Sequence, residues 1–211
     1  MALTPPGSKP VITVAGIATL RQMPPTANGV MFITLEDESG YIQCIVLPEM
    51  QERYRPLLRN AALIVRGRIE LRRERVDLAT TIRRSVEAVG ASARARRQEL
   101  VISLPAHPVW LDADPVRLVQ VVENLLNNAS KYTDEGGWIE LVGEQRDGKA
   151  VISVRDNGIG IDRDLLPKVF DLFTQSARSL DRAQGGLGIG LTLVRNLVKL
   201  HDGEVTAYSE G

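Results

Sequence analysis

The front of the chain has the hydrophobic pattern of strands. Residues 11–20 (VITVAGIATL), 30–35 (VMFITL) and 41–47 (YIQCIVL) are short, β-branched, apolar runs, and each reads as a strand. Glu36-Asp37-Glu38-Ser39-Gly40, between the second and third, has the composition of a hairpin turn. Residues 48–58 read as a short helix and residues 61–70 (AALIVRGRIE) as a fourth strand. Together these make most of a small β-barrel.

Beyond residue 70 helical periodicity takes over. Residues 71–77 (LRRERVD) read as a charged junction, with Asp77 placed to cap a helix over 78–97 whose apolar stripe is Ile82, Val86 and Val89. Residues 100–104 read as a strand and 105–108 as a loop. Asp114 followed by Pro115 is a strong helix start, and the helix runs to about Tyr132 with Val121, Val122, Leu125 and Ala129 on its buried side. Residues 138–144 and 150–156 alternate as a hairpin turning at Asp147-Gly148. A loop-rich stretch follows, then a helix over 190–200 and a strand over 204–208.

Charge sharpens this division. The chain is neutral overall, but residues 1–98 hold 15 Lys+Arg against 9 Asp+Glu, leaving 11 against 17 in the remainder. A basic front and an acidic back suggest two pieces of different origin or role, and a chimeric chain is one reading. The single cysteine, Cys44, excludes an internal disulfide. No apolar run approaches the roughly 18 residues of a membrane span. Residues 1–10 are Pro-rich, lack a signal-peptide pattern and read as a disordered N-terminus, so a cytoplasmic location is expected.

Four short motifs carry candidate chemistry, all in the back half. In Glu123-Asn124-Leu125-Leu126-Asn127-Asn128-Ala129-Ser130-Lys131-Tyr132, helical spacing puts Asn124, Asn128 and Lys131 on one face. An amide oxygen at Asn128 suits a hard cation such as Mg²⁺, Lys131 suits phosphate, and Tyr132 suits packing on adenine. Asp156-Asn157-Gly158-Ile159-Gly160-Ile161 offers an acceptor-only carboxylate that fits the adenine amine, with glycines that admit close approach. Phe170-Asp171-Leu172-Phe173 is a short Phe pair that suits a lid anchor. Gly185-Gly186-Leu187-Gly188-Ile189-Gly190-Leu191 runs into a helix, where backbone N–H groups form an anion site. It is not a P-loop, because no Gly-Lys-Ser/Thr follows.

In this order the four motifs resemble the N, G1, F and G2 boxes of histidine-kinase catalytic domains, within the GHKL superfamily that includes DNA gyrase and the MutL mismatch-repair protein. The flanking Trp110-Leu111-Asp112-Ala113-Asp114 and Leu200-His201-Asp202-Gly203-Glu204 match too, so the resemblance runs from about Arg75 to the end. It implies an α+β fold: a two-layer α/β sandwich with a mixed sheet (the Bergerat fold) over residues 98–211, after an Arg-rich junction and helix at 71–97. It further implies ATP and Mg²⁺ as cofactors. Asn128 would ligate the metal, supported by Asn124, and Lys131 would touch phosphate. Asp156 would bind the adenine amine, while Gly158 and Gly160 shape the pocket. Gly186, Gly188 and Gly190 would line the phosphates and Leu191 the pocket floor, with Tyr132, Ile161, Phe173 and Leu187 completing the contacts. Residues 162–185 would be a lid.

Gyrase-type ATPases carry a water-activating Glu where this chain has Asn124, so the kinase branch fits better. Such kinases transfer the γ-phosphoryl to a histidine. The two histidines here, His107 in a loop and His201 at a helix end, lie in no acceptor motif and read as structural or solvated. The acceptor is therefore expected on another chain, a His-bearing dimerisation domain or phosphoacceptor protein. Such domains continue with one more strand beyond the equivalent of Gly211, so reduced stability or a strand borrowed from the front half is expected.

Residues 10–70 resemble the oligonucleotide-binding (OB) domain of the bacterial DNA polymerase III alpha subunit and its error-prone relatives. The phrases VAGIATLRQMPPTANGVMFITLEDESG and ERYRPLL carry the likeness. The barrel is expected to be partial, since an OB barrel has five strands and the sequence turns charged and helical after Glu70. An alternative function follows: single-stranded nucleic acid bound through residues 11–70, with Phe32 and Tyr41 stacking on bases and 13 arginines between Arg53 and Arg97 meeting phosphates, fused to a non-catalytic nucleotide-binding domain.

Overall fold

A computed structural model describes residues 11–37, 40–171, 174 and 189–211. The chain divides into two compact units, Met1–Glu70 and Leu71–Gly211.

The first unit is an antiparallel sheet of four strands: β1 (Val11–Gln22), β2 (Met31–Asp37), β3 (Gly40–Val46) and β4 (Ala62–Arg68), in the order β3-β2-β1-β4. The long β1 serves two neighbours. Its first half pairs with β4, its second half pairs with β2, and the register slips between Ala18 and Leu20 after the handover. Gly16 sits at the crossing, where a Cβ would lie 2.9 Å from the Glu36 carbonyl oxygen. Ile12, Val14, Ala18, Ile33, Leu35 and Ile42 fill the inner face. The helix expected over 48–58 is split into α1 (Pro48–Tyr54) and a tight turn at Leu57–Arg59. The break comes at Pro56, which has no N–H to donate to the helix, although Arg55 and Pro56 both keep helical dihedrals. Among the described residues there is no fifth strand in this unit, so the OB-like barrel is partial.

The second unit comprises β5 (Glu74–Asp77), α2 (Leu78–Ala95), β6 (Glu99–Ser103), β7 (Trp110–Ala113), α3 (Pro115–Tyr132), β8 (Trp138–Arg146), β9 (Lys149–Asp156) and α4 (Gly190–Leu200). β6 runs parallel to β8, β9 antiparallel to it, and β5 and β7 form a separate ribbon. The β8–β9 turn uses Asp147 at φ 51° and Gly148 at φ 74°, the left-handed pair that a two-residue hairpin needs. Leu78, Ile82 and Val89 of α2 interlock with Val122, Leu126 and Ala129 of α3 and with Ile139 and Leu141 of β8. This is the expected two-layer sandwich with a mixed sheet.

Four expectations change. Residues 71–77 are not a plain junction, since β5 forms there with one apolar residue, Val76; its strand character comes from pairing with β7. α2, expected to carry only the sparse stripe of Ile82, Val86 and Val89, also buries Leu78, Ala79, Thr81, Ser85, Gly90 and Ala93 and is built into the core. Gly143 on the sheet leaves room for the Ile82 side chain where α2 lies closest. On α3 the buried residues are Gln120, Val121, Val122, Asn124, Leu126, Ala129 and Ser130, with Leu125 only half-buried. A one-sided stripe underestimates this burial, because α3 is central and touches α2, α4, β8 and β9. Residues 204–208 alternate like a strand but form none, since no described strand supplies a ladder partner.

Helix starts follow the sequence signals. Asp77 caps α2, its carboxylate accepting from the Thr80 N–H at 3.1 Å and the Thr80 hydroxyl at 2.9 Å. Burial pushes this carboxyl up, but the hydrogen bonds prevail and hold it below the ordinary Asp value. Asp114 does more than cap α3. Oδ1 accepts from the Val116 and Arg117 N–H groups at 3.1 Å, and Oδ2 from the Arg72 N–H at 2.9 Å. Its own N–H donates to His201 Nε2 at 3.0 Å, and His201 Nδ1 donates to the Leu197 carbonyl at 2.8 Å. His201 is thus a structural clamp between α3 and α4, whereas His107 is exposed. Asp114→Ala is expected to destabilise the second unit by about 2 kcal/mol and His201→Ala by about 1 kcal/mol. Both tryptophans, Trp110 and Trp138, lie in this unit, so denaturant unfolding followed by their fluorescence checks it. A loss below about 0.5 kcal/mol for Asp114→Ala would contradict the assignment.

Candidate functional site

The site grows from the last turns of α3. Asn124 is fully buried (0% exposed) and its amide donates to the Gln120 carbonyl at 2.8 Å. Asn128, Lys131 and Tyr132 are half-buried and continue toward the helix end. The Lys131 ammonium lies 5.4 Å from the centroid of the Tyr132 ring. Glu123, next to Asn124, is half-buried, and that burial pushes its carboxyl above the ordinary Glu value. It follows the helix at about 100° from Asn124, so it does not stand in for a base at that position.

The loop after β9 is stitched to this helix end. The Ile159 N–H donates to the Tyr132 carbonyl at 3.1 Å. Asp156 Oδ1 accepts from the Gly158 N–H at 2.9 Å, fixing a tight turn while Asp156 stays exposed. Asn157 Oδ1 accepts from the Trp138 N–H at 2.7 Å, which ties the same loop to the start of β8. Gly158 is required by space, because a Cβ there would drive into the Tyr132 carbonyl. Gly160 is required by conformation, with φ +69°. Ile161 is half-buried, and its N–H donates to Ser209 Oγ at 2.8 Å.

α4 closes another side. Gly190 is buried and Leu191 half-buried at its start, and among the described residues no side chain caps that N-terminus. Thr192 donates its hydroxyl to the Phe170 carbonyl at 2.9 Å, and Arg195 pairs with Asp171 at 3.0 Å. The start of the Phe motif is therefore fastened to α4.

The Ile159–Tyr132 bond thus joins the end of α3, which carries Asn128, Lys131 and Tyr132, to the loop of Asp156, Gly158, Gly160 and Ile161, while Asn124 is buried one turn earlier and Gly190 and Leu191 open α4, which packs on α3. Phe173, Gly186, Leu187 and Gly188 lie outside the described residues, as do residues 175–185 of the expected lid. Sequence reasoning missed Thr192, Arg195 and Ser209. Thr192 and Arg195 are three apart on one helical face, a weak signal; Ser209 gave none. In the first unit Tyr41 is 69% exposed and Phe32 half-buried, on the same sheet face but four register positions apart.

Residues 113–211 match the family described as histidine kinase-, DNA gyrase B-, and HSP90-like ATPase, and residues 12–87 match an OB-fold nucleic acid binding domain. The chain is 41% identical over 118 residues to the adaptive-response sensory kinase SasA of Synechococcus elongatus, covering 56% of this chain and 30% of SasA. Among solved structures, the mycobacterial sensor histidine kinase MprB superposes with a TM-score of 0.54 at 32% identity, covering 61% of this chain and 82% of that one. A structure of full-length ShkA in complex with AMPPNP gives 0.54 at 30% identity, covering 63% and 27%. The chain spans less than a third of the length of SasA. Fold and these likenesses agree that the second unit is a catalytic ATP-binding domain of the sensor histidine kinase type.

Proposed function

We propose that the second unit binds Mg-ATP and passes the γ-phosphoryl group to a histidine carried by another chain, within a cytoplasmic two-component system. The observation that carries this reading is the hydrogen bond from Ile159 N–H to the Tyr132 carbonyl. It sets the Asp156 turn against the helix end that carries Asn128, Lys131 and Tyr132. Asp156 then accepts from the adenine amine. Tyr132 and Ile161 pack near the base, and Lys131 and the α4 N-terminus, with Gly186, Gly188 and Gly190, take the phosphates. Phe173 and Leu187 border the pocket, and Leu191 floors it.

Mg²⁺ takes few protein oxygens beside water and phosphate, and an amide oxygen at Asn128 is a donor of that kind. When bound, the ion neutralises phosphate charge. Asn124, buried on the Gln120 carbonyl, steadies the turn before Asn128. Catalysis then comes from positioning and charge neutralisation, with no side chain acting as base on water. The acceptor is a His-bearing dimerisation domain or phosphoacceptor protein.

Calorimetric titration of the full chain is expected to show Mg-dependent ATP binding. Asp156→Asn is expected to weaken it on the order of 100-fold, because the Gly158 N–H holds the one remaining oxygen and the amide nitrogen in the other position cannot accept from the adenine amine. Undiminished binding by that variant would refute the adenine assignment. Phosphoryl transfer to a separately supplied His-bearing helical domain is the accompanying activity assay.

A second reading concerns the first unit, favoured by its match to an OB-fold nucleic acid binding domain and by the exposed Tyr41. The narrower likeness, to the polymerase III alpha subunit, rests on the phrases within residues 10–70. In this reading Tyr41 and Phe32 stack on bases of single-stranded nucleic acid, and arginines meet its backbone. Binding of single-stranded DNA should then weaken steeply with salt, and Tyr41→Ala should weaken it about tenfold. No binding at low salt would end this reading.

A further inference from the structure

We infer that Gln98 is a positioning residue for the nucleotide site, holding the α3 turn that presents Lys131 and Tyr132. This rests on the nucleotide reading above.

Gln98 lies outside all four motifs, in the turn from α2 to β6. It is 6% exposed. Its amide nitrogen donates to the carbonyls of Ser130 at 2.9 Å and Thr133 at 2.8 Å, with Asp134 at 3.4 Å. Its amide oxygen accepts from the Ser130 hydroxyl at 2.7 Å. The bonded residues flank Lys131 and Tyr132 on both sides. Carbonyls in the last turn of a helix have no partner within the helix, so a buried turn needs donors from elsewhere. Gln98 supplies them, and Arg96 adds a bond to the Thr133 carbonyl at 2.9 Å.

The backbone holds the same join. The Gly136 N–H donates to the Arg96 carbonyl at 3.2 Å and the Glu99 N–H to the Gly137 carbonyl at 2.8 Å. Arg97, at φ 54°, turns the chain so that Gln98 faces α3 directly after α2 ends. The opposite side of the turn carries the Ile159–Tyr132 bond to the Asp156 loop. The turn is therefore held from two sides. The Asp156 side would recognise the base; the Gln98 side sets the phosphate-facing lysine.

Only a primary amide does this job at position 98. A carboxylate accepts from Ser130 but cannot donate to the carbonyls, and an apolar side chain does neither. The Asp156 loop keeps its own tether through Asn157 and Trp138, so loss of Gln98 should disturb phosphate contacts more than base contacts.

The test measures ATP and adenosine as competitors against a fluorescent ATP analogue, using the full chain with Mg²⁺, at a temperature where tryptophan fluorescence shows each variant folded. Gln98→Met is expected to lose about tenfold in ATP affinity, while adenosine affinity changes less than about twofold. Gln98→Glu is expected to fall likewise. Should the Met variant not fold, Ser130→Ala removes one bond of the set and is expected to lose about threefold for ATP alone. A lowered unfolding midpoint with ATP affinity unchanged would make Gln98 merely structural and overturn the inference. Equal losses for ATP and adenosine would also overturn it. If the unaltered chain binds neither ligand, the nucleotide reading itself fails, a result distinct from both.

Discussion

The second unit depends on one buried carboxylate. Asp114 accepts three backbone N–H groups, two opening α3 and one from the approach to β5, and its own N–H meets His201 at the end of α4. A charge removed from water is costly unless hydrogen bonds replace its hydration, and here three do so. The carboxylate fixes where α3 begins relative to both neighbours. The second half of the same helix carries the buried Asn124 and the half-buried Asn128, Lys131 and Tyr132. Site geometry is thus set at one end by Asp114 and at the other by contacts to the segments after α2 and β9.

Those contacts show why the glycines of the Asp156 loop stand where they do. Gly158 yields space to a backbone carbonyl, and Gly160 yields a left-handed turn. Neither residue touches anything by a side chain, since neither has one. Both let the chain pass so close to α3 that the carboxylate of Asp156 and the amide and ammonium groups of α3 share one region.

Much of this was legible in the sequence. Asp114-Pro115 marked the start of α3, Asp147-Gly148 marked the β8–β9 turn, and the order of four motifs marked the catalytic type. These are local signals, carried by a cap, a left-handed pair and glycine spacing. Long-range contacts were not legible. β5 holds Glu74, Arg75 and Asp77 around one apolar residue, and it is a strand only because β7 lies beside it. Leu125 and Leu126 look alike in sequence, and only the central place of α3 decides which is buried. Gln98 reads as an ordinary polar residue, because its partners lie some 32 to 36 positions away. In the first unit the glycine at position 16 read as part of a strand, but the need for it is set by Glu36 across the sheet.

One helix turn and one loop, joined at Tyr132 and Ile159, form the proposed nucleotide site. Amide hydrogen exchange of the full chain, with and without Mg-ATP, tests it most directly. Slowed exchange is expected over residues 128–133 and 156–161 on adding Mg-ATP, with residues 11–37 unchanged. Unchanged exchange at both segments, with protection elsewhere, would contradict it.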